Sequence, residues 1–172
     1  EVLGFMSFKQ VKIEDLQLNP WQTIGQDWLL VTAGDEQKAN TMTASWGGLG
    51  VLWHENVAFV FIRPQRYTKE FVDAQPRFSL SFFEGRKKEL SLLGSVSGRE
   101  RDKIAEAGLH LTFLDGVPTF EEARLVLLVQ KLYADELRPQ GFILPELDGK
   151  NYAQQDYHTM YVAKIEKVYL SE

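Results

Sequence analysis

Apolar and polar residues alternate with the period of a half-buried strand in several places along the chain. Thr41/Thr43/Ser45 alternate with Met42/Ala44/Trp46, and Phe78/Leu80/Phe82 with Ser79/Ser81. Leu109/Leu111/Phe113 repeat the pattern ahead of an Asp115-Gly116 turn. Val57–Ile62 is instead an unbroken apolar run, the signature of a strand buried on both faces. Trp28–Thr32 predicts a strand that turns at Gly34-Asp35-Glu36 and pairs with the segment starting near Ala39. Thr119–Tyr133 carries one or two more strands, with Leu125–Val129 deeply apolar, and Tyr157–Leu170 predicts the last one.

Helices are short by comparison. Thr68 reads as the N-cap of a helix that Pro76 ends, Lys87–Leu93 as a second, and Arg99–Ala107 as a third stopped by Gly108. Asn19-Pro20 marks a turn after a loosely patterned Phe8–Leu18, while Gly47, Gly48 and Gly50 loosen the chain before Val57. Leu137–Ala153, with its Pro and Gly, reads as a long loop. Repeats, low-complexity tracts and interdomain linkers are absent. Six or more strands with short helices between them predict one mostly-β domain over residues 1–172, an antiparallel barrel closed or partly closed. The five residues ahead of Met6 read as a remnant foreign to the natural protein and carry no weight.

Charge narrows the choice of ligand. The net charge of −5 argues against nucleic acid or an anionic membrane as partner. Basic residues nevertheless cluster at Arg63/Arg66/Lys69, Arg86/Lys87/Lys88 and Arg99/Arg101/Lys103, which suits a small anion. Cysteine is absent, so there is neither a disulfide nor a thiolate metal site, and a cytoplasmic location is the expectation. His54, His110 and His158 are scattered without metal-ligand spacing, and no metal site is expected. No G-x-S-x-G, P-loop or G-x-G-x-x-G is present.

One stretch, Asn40–Thr68, combines the features a flat phosphate-bearing cofactor needs. Small residues at Thr43, Ala44 and Ser45 let a ligand approach the backbone, and Trp46 offers a flat wall. Arg63 and Arg66, with Tyr67, Thr68 and the first turn of a helix, supply donors for one phosphate. The same corner also reads as a strand-to-helix turn whose arginines are solvated or paired with Glu70 and Asp73, and Trp46 as a core residue. Gly94-Ser-Val-Ser-Gly98-Arg99 is a donor-rich loop or simply a flexible one. His158, between two tyrosines, reads as a site residue or a packed one.

Taken together, Thr41–Trp46, Phe61–Thr68, Phe78–Phe83, Gly94–Lys103 and Asp156–Tyr161 resemble the flavin reductase-like family, in particular its flavoredoxin branch. The resemblance covers roughly residues 28–166. It implies a Greek-key split β-barrel that binds FMN and works as a homodimer. Thr41, Met42, Thr43, Ala44, Ser45 and Trp46 would line the isoalloxazine and ribityl chain. Arg63, Arg66, Tyr67 and Thr68 would hold the phosphate, and Ser97, Gly98, Arg99 and Lys103 would lie close to the flavin. His158 would face the ring and an incoming nicotinamide. The implied activity is hydride transfer from NAD(P)H to FMN, then electron transfer to a small-molecule or protein acceptor. An FMN electron carrier without a nicotinamide site is the alternative. Val129-Gln130-Lys131 lacks the Cys found there in the family, and Ala163-Lys164 replaces its Gly-Glu.

Overall fold

The structure, a computed structural model, describes residues 7–172. The reading of residues 1–5 as a foreign remnant therefore lies outside the described residues. Ten strands form: β1 (Phe8–Val11), β2 (Leu29–Gly34), β3 (Ala39–Ala44), β4 (Gly47–Leu52), β5 (Glu55–Ile62), β6 (Arg77–Phe82), β7 (Leu111–Leu114), β8 (Val117–Phe120), β9 (Leu125–Glu136) and β10 (Thr159–Ser171). The helices are α1 (Pro20–Gly25), α2 (Thr68–Ala74), α3 (Lys87–Ser95), α4 (Lys103–Ala107) and α5 (Glu146–Asn151). Among the described residues, no helix is long and apolar enough to cross a membrane.

The main sheet runs in the order β3-β2-β6-β9-β10-β5-β4, with β1 pairing the far end of β10. All of these pairings are antiparallel. Met42 from one end of that order shares a single core with Val31, Phe78, Leu127, Tyr161 and Val60, and Leu49 from the other end packs against it. A sheet whose two ends meet over one core must curl into a barrel. The edge strands β3 and β4 do not pair, so the barrel stays open along that seam, bridged by Ser45 and Trp46. Two register shifts in the β9–β10 ladder bend these long strands. A second core, with Leu30, Leu90, Leu93, Phe120 and Leu128, packs α3 and the β7–β8 hairpin onto the other face.

Several local expectations change. Asn19-Pro20 opens α1 instead of a turn: the Asn19 side chain accepts from the Gln22 N–H, and proline suits the first helical position. Phe8–Val11, loosely patterned, becomes a strand because β10 offers it a free edge. Gly47–Leu52 is also a strand, joined to β5 by a two-residue turn at Trp53 and His54, both at positive φ. Gly47 tolerates no side chain, since a Cβ there would lie 2.8 Å from the Phe59 carbonyl.

Ser79 and Ser81 do not face solvent. Both are fully buried, because the β7–β8 hairpin covers β6, and their hydroxyls bond the Pro118 carbonyl and the Thr119 hydroxyl at 2.6 Å each. The third helix begins only at Lys103, where the Asp102 side chain caps it, and ends at Gly108 with φ of 71°. Leu137–Ala153 contains a 3-10 turn and α5 rather than continuous loop.

Candidate functional site

Two adjoining cavities follow the barrel seam, sharing Met42 and Arg66. The first, about 190 Å³, is lined by Met42, Thr43, Ala44, Ser45, Trp46, Phe61, Arg63, Arg66 and His158. The second, about 200 Å³, lies between β3, the corner from Gln65 to Thr68, and the segment from Ser95 to Lys103. One has an aromatic wall and the other is rich in donors.

The seam explains the first cavity. Because β3 ends at Ala44 without a partner on that side, Ser45 and Trp46 are left at the opening. The Trp46 ring stands 5.4 Å from the His158 ring, and Phe61 meets His158 edge-on at 6.4 Å. His158 is buried and shares a 2.7 Å hydrogen bond between Nδ1 and the Tyr152 hydroxyl. Burial, reinforced by the Arg63 charge, pushes the imidazole down to about 4, so it is neutral at pH 7. Thr43 donates its hydroxyl proton to the Leu90 carbonyl, tying β3 to α3.

The second cavity holds an electrostatic mismatch. Lys103 is buried, donates to the Leu93 carbonyl at 2.9 Å, and is pushed down to about 8 by burial and by repulsion from Arg66. Arg66 is half-buried and donates to the carbonyls of Gly94 (3.0 Å) and Thr43 (3.3 Å); burial lowers its pKa also. Among the described residues, neither cation has a carboxylate partner. Two desolvated cations repelling each other on one cavity wall make a site whose missing counter-charge is an anion.

Neutral groups complete this end. The Asn40 amide donates to the Thr68 hydroxyl at 2.8 Å, leaving the Thr68 proton for another acceptor. Thr68 is therefore held by β3 and does not cap α2, correcting the N-cap expectation. The N–H groups of Lys69 and Glu70 close on the Arg66 and Tyr67 carbonyls at 3.1 Å each. Gly98 approaches so closely that a Cβ would fall 2.1 Å from the Asn40 Oδ1. The Ser97 hydroxyl accepts from the Arg99 N–H at 3.2 Å.

Arg63 and Arg66 do not converge through their hydrogen bonds. Both line the aromatic cavity, but Arg63 pairs with Asp156 at 2.9 Å, donates to the Asn151 carbonyl, and lies 5.0 Å over the Tyr152 ring. Its acidic partner is thus Asp156, neither Glu70 nor Asp73. Arg99 is the residue that pairs with Glu70, while resting 4.6 Å over the Tyr67 ring. Thr41 lines neither cavity; its hydroxyl is buried against Thr32 and donates to the Val31 carbonyl. The sequence reading missed Asn40, Phe61, Gln65, Ser95 and Val96 as lining residues and Tyr152 as the partner of His158. Asn40 and Phe61 bound the very strands already singled out, whereas Tyr152 had no signal in its neighbourhood.

A family model described as flavin reductase-like domain matches residues 21–172. The chain belongs to this family. Among solved structures, this flavin reductase-like domain resembles an FMN-binding domain of a flavin reductases-like enzyme from Shewanella baltica (14% identity, TM-score 0.69, covering 98% of this chain and 79% of that one). It is similar to a flavoredoxin from Methanosarcina acetivorans (22%, TM-score 0.64, 85% and 69% covered). A third likeness is to an FMN-binding protein from Thermus thermophilus with bound p-hydroxybenzaldehyde (27%, TM-score 0.61, 82% and 69% covered). No curated protein matches. The fold is the split barrel of the family, its seam the opening between β3 and β4.

Proposed function

We propose that the protein is an FMN-dependent oxidoreductase that accepts hydride from NAD(P)H and passes electrons to a small-molecule or protein acceptor. The observation that carries the reading is the placement of half-buried Arg66 beside buried Lys103, neither with a carboxylate among the described residues, next to a cavity walled by Trp46 and His158. The donor set fits a phosphomonoester, and the Thermus thermophilus relative, 27% identical, is an FMN-binding protein.

In this reading Arg66, Lys103, Thr68 and Ser97 hold the phosphate, and Gly98, with no Cβ, lets its loop close against Asn40 of β3. Tyr67 keeps Arg99 over its ring at the outer edge of the same cradle. Met42 lies where the two cavities join, and Thr43, Ala44, Ser45 and Trp46 line the ring. Arg63 closes the far side through Asp156 and Tyr152. Bound FMN supplies the hydride and electron chemistry, while the chain binds, orients and excludes water. His158, neutral at pH 7, serves as a hydrogen-bonding wall that positions the nicotinamide and not as a standing acid.

A homodimer is part of the proposal. Trp46, Val51, Trp53 and Tyr133 are exposed together with the unpaired edge of β4, and the rings of Trp53 and Tyr133 lie 6.2 Å apart. Exposed apolar side chains on and beside an open strand edge suit a second copy. A cytoplasmic setting, where NAD(P)H is supplied, fits the chemistry.

Anaerobic titration of the FMN-loaded protein with NADH and NADPH tests the activity. Bleaching of the flavin's visible band is the expected result. A band that persists with both nucleotides but bleaches with dithionite would make the protein an electron carrier instead. Failure to load FMN would overturn the cofactor assignment.

A further inference from the structure

Tyr152 stands at the end of α5, behind His158 and outside the aromatic cavity that His158 lines. Its ring is fixed from several sides. Arg63 donates to the Asn151 carbonyl at 3.0 Å and lies 5.0 Å over the Tyr152 ring. The rings of Tyr157 and Phe142 pack against it at 4.8 and 5.9 Å. The Tyr157 hydroxyl donates to Asp148 at 2.8 Å, which closes α5 onto the same cluster.

We propose that Tyr152 is a positioning residue: its hydroxyl donates to His158 Nδ1 and fixes the imidazole as the Nε2–H tautomer, which presents one hydrogen-bond donor to the aromatic cavity. Such a donor recognises a lone pair on a flat molecule lying against Trp46 and Phe61. The carboxamide oxygen of a reduced nicotinamide is an acceptor of that kind. This last step rests on the nicotinamide reading above, whereas the tautomer does not.

The direction of the 2.7 Å bond follows from its protons. A neutral imidazole carries one N–H, and His158 is neutral at pH 7. Burial raises the Tyr152 phenol above its ordinary value, so it keeps its proton as well. Among the described residues, Nδ1 is the one hydrogen-bond partner of that hydroxyl. With the imidazole proton on Nδ1, the phenol proton of this buried tyrosine would have no acceptor, a costly arrangement. With the phenol donating, Nδ1 accepts and Nε2 carries the hydrogen. Nε2 has no partner among the described residues, yet it is not sealed in, since their one buried side-chain polar atom without a partner is Arg77 Nε. The open space that His158 meets is the aromatic cavity.

Imidazole nitrogen NMR of isotope-labelled protein, with the His158 signals assigned by their loss in His158→Ala, reads the tautomer and needs no cofactor. In the wild type, Nε2 is expected to carry the proton. Tyr152→Phe keeps the ring packing and is expected to give a mixture of the two tautomers. An Nδ1–H tautomer in the wild type, or one unaltered tautomer in Tyr152→Phe, would overturn the proposal. Reduction of the FMN-loaded protein by NADH should slow about fivefold in Tyr152→Phe while FMN affinity stays within about twofold. Equal reduction rates in the two forms would overturn the positioning role. A wild type that NADH leaves oxidised would overturn the nicotinamide reading alone, with the tautomer still decided by the nitrogen signals.

Discussion

The Tyr152 hydroxyl and the His158 Nδ1 stand 2.7 Å apart, six residues separated in sequence, in the wall of the aromatic cavity. Burial and the nearby Arg63 hold His158 neutral, at about 4 against an ordinary 6.5. A lowered histidine pKa means that the unfolded chain binds the proton more readily than the folded one. Stability linked to His158 is therefore complete above about pH 6.5 and is lost as pH falls toward 4. The C2 proton shift of His158, followed by NMR, should show no titration between about pH 5.5 and 8. His158→Ala should slow flavin reduction by NAD(P)H while FMN affinity stays nearly intact; unchanged kinetics would remove His158 from the site.

Lys103 titrates in the opposite functional direction. Its charge is needed by an anion but disfavoured by burial and by Arg66, which holds it at about 8. Without ligand, the folded protein loses this proton before the unfolded chain does, so stability linked to Lys103 should rise between about pH 8 and 10.5. FMN affinity should fall across the same range as the cradle loses a charge, with proton uptake on binding near pH 8.5 by calorimetry in buffers of different ionisation enthalpy. Riboflavin, which lacks the phosphate, should show no such pH dependence.

The two arginines should separate. Arg66 reaches into both cavities from between the Thr43 and Gly94 carbonyls, whereas Arg63 is committed to Asp156 and Asn151. Arg66→Ala should cost FMN on the order of 1.5–3 kcal/mol, about ten- to a hundredfold in affinity, and riboflavin much less. Arg63→Ala should cost FMN less and instead loosen residues 151–158, read as faster amide exchange there. Equal losses of FMN affinity in both variants would place the phosphate between them.

Gly98→Ala tests the cradle by shape alone. The added methyl would meet the Asn40 Oδ1 at 2.1 Å and must displace Asn40 from Thr68. FMN affinity should drop at least about tenfold with the secondary structure unchanged by circular dichroism. Wild-type affinity in this variant would mean that the Asn40–Thr68 contact plays no part in the site.

Much of the barrel could be read from periodicity because strand burial obeys a local rule. The unbroken run Val57–Ile62 and the alternation of Phe78/Leu80/Phe82 mark β5 and β6 directly. Where a neighbour distant in sequence decides, the local rule fails. Ser79 and Ser81 are buried because the β7–β8 hairpin bonds them, Gly47–Leu52 is a strand because β5 pairs it, and Phe8–Val11 because β10 does.

By itself, the sequence determined the mostly-β class, the cluster of small residues before Trp46 and the local presence of Arg63, Arg66, Tyr67 and Thr68 at one corner. Each follows from residue types and spacings a few positions long. Only the tertiary structure decided how those groups are used. It buried Lys103 beside Arg66, 37 positions earlier in the chain, tied Arg63 to Asp156, and turned Thr41 into the core. Desolvation and pairing depend on which segments meet across the open seam of the barrel, and that is a property of long-range contacts.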